Sequence, residues 1–294
     1  MGAALIAATL TGLATGLGAL PFLFIRELPR RAYDGILGLG AGLMLAAATL
    51  GLLGEALEAT RASSLGGEPA HHGALAMIVA GFIIGVAIAA AMDRLIPHRH
   101  ASDHHQHLGH PPGHDHHDRH HHLPPHGAGH GEHGEETEGG AHPASPELWR
   151  GYAIMGALAI HRVPEGLAIG AGFGAADHAR LGLLLSVAVG LQNACEGIVM
   201  AAPLRRAGAS PARSTALVTL TGLATPVAAV VGSALAGLAT ATMPFILALA
   251  AGTLIYVTSN EIIPESHSHG HEGTASSGVV LGFLLTIVLK AVLG

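Results

Sequence analysis

Eight apolar runs, each long enough to cross a lipid bilayer as a helix, constrain this chain more than any other feature. They lie near residues 3–25, 35–58, 74–96, 148–173, 179–204, 211–238, 242–264 and 276–293. A hydrocarbon layer about 30 Å thick takes roughly 20 apolar residues in helical form. Within it every backbone polar group has to be satisfied internally, so the runs are expected to be helices. The fold class that follows is all-α, a polytopic membrane helix bundle of eight spans. Half of the residues are hydrophobic and only 12% are charged. Mean hydropathy is +0.48 even though a long polar stretch dilutes it. Such values exclude an ordinary water-soluble domain. The 42 glycines suit helices that pack backbone to backbone. The first run lacks a basic start and a small-residue cleavage site, so it is expected to be a span and not a removed signal.

The expected organisation is one membrane domain in two pieces, residues 1–96 with three spans and residues 148–294 with five, separated by a polar segment at 97–147. That segment is rich in His, Gly and Pro and too irregular to bury a core. It holds sixteen histidines between His98 and His142, including the run His120-His121-His122. Imidazole suits Zn, Cu, Ni and Fe, so the segment points to handling of transition metals, with a solvated linker as the plain alternative. Arginine placement gives the orientation. The connections after spans one, three and five hold ten arginines, and those after spans two, four and six hold only Arg61 and Arg180. The odd-numbered connections, with the His-rich loop, are thus expected in the cytoplasm, and both termini outside. Thirteen Arg against one Lys, with abundant Ala and Gly, suggest a GC-rich bacterial genome and a bacterial plasma (inner) membrane.

Two spans carry carboxylates at their midpoints. The fourth reads His161-Arg162-Val163-Pro164-Glu165-Gly166 and the fifth Gln192-Asn193-Ala194-Cys195-Glu196-Gly197. On a helix, His161 lies over Glu165 and Gln192 over Glu196. Ionisable groups at the bilayer centre are costly and tend to mark function. One imidazole, two carboxylates and two amide oxygens make a mixed set suited to a divalent transition ion. The plainer reading is a satisfied core histidine with both glutamates paired to Arg162. Pro164 frees the carbonyl of Ile160, which allows a kink. The sole cysteine, Cys195, excludes an intrachain disulfide and reads as a small buried apolar residue.

These motifs, the eight spans and the His-rich loop between spans three and four resemble the Zrt-, Irt-like (ZIP) metal transporters, in the prokaryotic branch named after GufA. The resemblance implies an inverted repeat of spans 1–3 and 6–8 around spans 4 and 5. It also implies metal ligands at Met44, His161, Glu165, Gln192, Asn193 and Glu196. Members of this branch often hold a second metal, bound in part by Asn where this chain has Arg162, and by a Glu before the proline of span six, where this chain has Thr225-Pro226. A guanidinium cannot ligate a cation and stays charged, so Arg162 is expected to stand in for the second ion, leaving one transport metal. The family's proline in span five is replaced by Cys195, so a straighter helix is expected. At the end of span seven the family's His-Glu pair is here Asn260-Glu261, and an exit path is expected through Glu261, Glu265 and His267.

The function implied is secondary transport of zinc, with cadmium and other divalent metals open, into the cytoplasm by alternating access of an elevator-like kind. No nucleotide-binding motif is present, so the ion is expected to move down its gradient or with protons. No organic cofactor and no nucleic-acid partner is expected. The partners are metal ions and the bilayer, and a homodimer is left open. An exporter or a metal sensor is the rival of the same kind, and an intramembrane metalloenzyme the rival of another. The enzyme would need three fixed ligands, an open water position and a base, as in His-Glu-x-x-His, and no such motif occurs.

Overall fold

A chain segment in hydrocarbon has no water to receive its amides, and each apolar run here closes its hydrogen bonds as a helix. The computed structural model describes residues 1–63, 68–95, 146–174, 179–238 and 242–293, and every regular element among them is helical. Span one is α1 (Gly2–Ala19) with a 3-10 turn at Leu20–Leu23. Span two is α2 (Arg30–Ala46), a π-helical stretch at Ala47–Leu53, and α3 (Gly54–Ser63). Spans three, four and five are α4 (Glu68–Leu95), α5 (Pro146–Gly174) and α6 (Ala179–Arg206). Span six is α7 (Pro211–Thr221) with α8 (Ala224–Leu238). Span seven is α9 (Met243–Val257), a π-helical stretch at Thr258–Ile262, and α10 (Ile263–Ser266). Span eight is α11 (Glu272–Leu293).

Seven of the eight are long and apolar enough to cross a membrane by composition. The other, α5, has 29 residues, about 43 Å at 1.5 Å per residue, and carries the His-Arg-Pro-Glu stripe. Pro164 lies inside α5 without ending it, and α6 runs unbroken through Cys195. The helical unit comprises residues 1–98 and 145–294. The histidines between His98 and His142 lie outside the described residues.

The helix contacts follow a two-fold rule. Exchanging spans one with six, two with seven, three with eight and four with five turns each major packed pair into another packed pair. Span one on five becomes six on four, two on eight becomes seven on three, and two on five becomes seven on four. The π-helical stretches obey the same exchange, one in span two and one in span seven. The exchange has the form of the inverted repeat that the family resemblance implies. Residues 1–23 and 211–238 sit across it at their closest: a methyl on Gly12 would stand 2.3 Å from the Gly222 carbonyl oxygen, and one on Gly222 would stand 2.1 Å from that of Gly12.

Glycine contacts also divide the unit into two packed groups, spans one, four, five and six, and spans two, three, seven and eight. Within each group glycines bring backbones together. A methyl on Gly42 would reach the Val279 carbonyl at 2.0 Å, and one on Gly170 the Ala229 carbonyl at 2.0 Å. Between the groups the described glycines meet only side chains at ordinary van der Waals distance, Gly40 against Cys195 Cβ at 3.6 Å and Gly51 against a Leu185 methyl at 3.4 Å. The tight seams therefore lie inside the groups, and the contact between them is looser. It is formed largely by span two on five and span four on seven.

Candidate metal site

The polar residues of α5 and α6 meet in the bundle interior, where Arg162, Glu165, Gln192, Asn193 and Glu196 are all buried. Helical spacing puts Arg162 one turn before Glu165 and Gln192 one turn before Glu196, so two short polar edges face each other across the α5–α6 contact. Arg162 Nη2 donates to Glu196 Oε2 at 2.8 Å, and Arg162 Nη1 lies 3.9 Å from Glu165 Oε2. Gln192 Nε2 bridges the carboxylates, donating to Glu165 Oε1 at 2.8 Å and Glu196 Oε1 at 2.9 Å. One guanidinium thus faces two carboxyl groups. A buried charge without a partner is far costlier than a paired one, which is why Arg162 can occupy this depth at 0% exposure.

The pairing leaves acceptors over. Gln192 Oε1, Asn193 Oδ1 and Glu165 Oε2 are buried with no hydrogen bond to a protein group. Buried polar groups without partners are rare and call for a physical account, and the same surroundings leave Arg162 Nε and Nη1 without a hydrogen bond as well. Asn193 spends its amide Nδ2 on the Thr11 carbonyl at 3.0 Å, which ties the site to span one and orients the side chain. Thr225 is fully buried, and its carbonyl would stand 2.4 Å from a methyl placed on Gly166. The position where the family carries a second-site Glu therefore does adjoin the motif of span four, and here it offers only a hydroxyl.

Met44 and Glu261 reach the cluster from the other group. His161 Nε2 lies 3.8 Å from Glu261 Oε1, so the glutamate of span seven approaches the central motif across the looser contact. Met44 is fully buried one turn beyond Gly40, on the face of α2 that meets Cys195, and its sulfur accepts from Thr258 Oγ1 at 3.6 Å. Asn260 Nδ2 donates to Asp93 Oδ2 at 3.1 Å, so Asp93 of α4 joins Glu261 at this end. Sequence reasoning missed Asp93, and the signal was there, an acidic residue just inside the end of the third apolar run. The outer part of the expected exit path is differently placed. His267 Nδ1 lies 2.9 Å from the Ile263 carbonyl and from Ser266 Oγ, and Nε2 lies 3.0 Å from Ser276 Oγ, so both ring nitrogens are engaged locally. Glu265 is half-buried in the same short helix. Among the described residues no three His, Cys, Asp or Glu side chains are already set as a cage around an ion. The central cluster is closed by Arg162 and Gln192.

A bundle of apolar spans related by a two-fold exchange, with paired charges buried between spans four and five, has the architecture of a multi-span membrane protein. The family model described as ZIP zinc transporter matches residues 1–290, and the chain belongs to that family. It is 36% identical over 294 residues to the zinc transporter GufA of Myxococcus xanthus, covering 100% of both chains. It is 31% identical to the zinc transporter ZIPB of Bordetella bronchiseptica, over 96% of this chain and 78% of that one. It is 32% identical to the human zinc transporter ZIP11, over 96% of this chain and 94% of that one.

Proposed function

We propose that this chain carries zinc across the membrane into the cytoplasm, with cadmium as a second cargo, and that it carries one ion per cycle. The ion is held by Glu165, Glu196, the oxygens of Gln192 and Asn193, and His161, with Met44 completing the set from span two. The observation that carries this reading is the Arg162 guanidinium lying 2.8 Å from Glu196 and 3.9 Å from Glu165, beside three buried oxygens that no protein donor satisfies. Arg162 supplies the charge that a second metal would bring, and the free oxygens await the first. Zinc as cargo comes from the relatives' names and from the N/O donor set, which suits a borderline divalent ion.

Transport proceeds as spans one, four, five and six slide against spans two, three, seven and eight, exposing the mid-membrane site to each side in turn. The looser contact between these groups supports this movement. The Arg distribution supports termini outside and the loop at 97–147 in the cytoplasm. The metal leaves past His161 toward Glu261 and Asp93, with Glu265 and His267 further along the same end.

The test is uptake of zinc and of cadmium into proteoliposomes containing a metal-sensitive dye. Glu165→Ala should abolish the signal of the native chain. Arg162→Asn should raise the zinc bound per chain from one toward two equivalents. Full uptake in Glu165→Ala would remove the ion path from spans four and five.

A further inference from the structure

Spans two and eight meet through glycine at the end where both begin: a methyl on Gly278 would stand 2.4 Å from the Gly35 carbonyl oxygen. Small residues along such a seam leave a furrow beside it. Ala32, Gly35 and Gly278, with Ile36, Leu39 and Leu281, line a groove of about 530 Å³. Leu281 is 60% exposed, so the groove opens sideways, toward hydrocarbon. From Arg31 to Leu39 the helix rises about 12 Å. The apolar runs of these spans begin near residues 35 and 276, which sets Arg31 and Thr274 at the depth of the lipid head groups.

Arg31 and Thr274 also line a second pocket, a polar one of about 610 Å³, with His271, Glu272 and Ser277. Polar pocket and apolar groove are thus continuous through these two residues. Arg31 Nε donates to Thr274 Oγ1 at 3.2 Å, which orients the guanidinium. Among the described residues no ion pair engages Arg31, and none engages Glu272. The pocket therefore holds one cation and one anion that do not pair with each other. His271 is turned the other way, with Nδ1 3.1 Å from Asp34 Oδ2.

We propose that this surface binds a phospholipid with a primary-ammonium head group, of the phosphatidylethanolamine kind, its phosphate on Arg31, its ammonium on Glu272 and one acyl chain along the groove. Basic pockets between spans at this depth take lipid head groups, and a guanidinium meets a phosphate through two parallel N–H donors. The second charge selects the head group. A purely anionic head would gain from Arg31 and be repelled by Glu272, whereas a zwitterion uses both. Choline, which has no N–H, gives the carboxylate no hydrogen bond. The lipid spans the seam of two helices, so its binding stabilises their packing by mass action.

The test uses full-length protein in detergent, titrated with phosphatidylethanolamine, phosphatidylglycerol and phosphatidylcholine of one acyl composition and read by native mass spectrometry. The native chain should retain one phosphatidylethanolamine above the level of the other two, and that lipid should raise its melting temperature most. Arg31→Gln should weaken its retention roughly tenfold, the worth of one charge-assisted bond. Glu272→Gln should abolish the preference over phosphatidylglycerol. Ala32→Phe, which fills the groove and leaves the charges alone, should lose all three lipids together. All three positions are exposed, and lipid-free melting of each variant checks the fold. Equal retention of the three lipids by the native chain would overturn the site. Preferred phosphatidylglycerol, or a preference untouched by Glu272→Gln, would overturn the head-group assignment. A lipid-free dimer that comes apart in Ala32→Phe would give the groove to a second copy instead.

Discussion

The central cluster and the Asp34 cluster both satisfy buried carboxylates with cationic or imidazole side chains, and they do so in opposite ways. At the centre the partner is Arg162, which cannot ligate a metal or give up its proton. At the end of the bundle, where Asp34 is buried in the first turns of α2, the partners are His269 and His271, whose Nδ1 atoms lie 2.8 and 3.1 Å from its two oxygens. The hydrogen bonds of the first cluster stay among spans one, four and five, with Glu261 approaching His161 from the other group, and the second lies inside that other group.

The strongest way to break this comparison is to stop the proposed sliding of one group of spans against the other. Gly40 and Cys195 face each other across the two groups with a Cβ–Cβ separation of 3.6 Å, within the range of a disulfide. Gly40→Cys should therefore form a bridge to the native Cys195 on oxidation and arrest zinc uptake almost completely. Reductant should restore the flux, and a Cys195→Ser background should prevent the lock. A paired Gly35→Cys and Thr274→Cys, joining span two to span eight within one group, should leave uptake near the parent rate. Arrest by the second pair as well would sink the division into sliding groups.

Arg162 gives the next effect. Removing one partner of a buried ion pair typically costs about 3–5 kcal/mol because the other charge is left unpaired. Arg162→Asn should lower the metal-free melting temperature markedly, and added zinc should recover most of the loss by taking the vacated place. If zinc leaves the melting point of this variant where it was, the guanidinium does not stand in for an ion. The smallest effect belongs to Lys290, the only lysine in the chain. Its Nζ donates to the Leu50 carbonyl, in the π-helical stretch of span two, and lies 3.8 Å from Glu55. Lys290→Met should destabilise by about 1 kcal/mol, the ordinary worth of one such bond, read as a small drop in melting temperature with metal binding intact.

The sequence by itself determined the elements and their class. Eight runs of about 20 apolar residues leave a chain in lipid no alternative to helices, and the runs agree with the observed spans to within a few residues at most boundaries. Larger shifts occur at Arg30, Ser63, Glu68 and Glu272, where polar turns extend the helix beyond the apolar stretch. The motifs of spans four and five were legible because i and i+4 spacing alone puts their polar residues on one face. Tertiary structure decided what those faces meet. Whether Arg162 pairs with Glu165 or Glu196 depends on the α5–α6 seam, and the approach of Glu261 to His161 depends on span seven crossing from 100 residues away. No local rule links Asp34 to His269, which are 235 positions apart. In a membrane the helices form on local hydrogen bonds, whereas their partners are chosen by close packing of small residues, a property of two surfaces together that neither sequence segment holds alone.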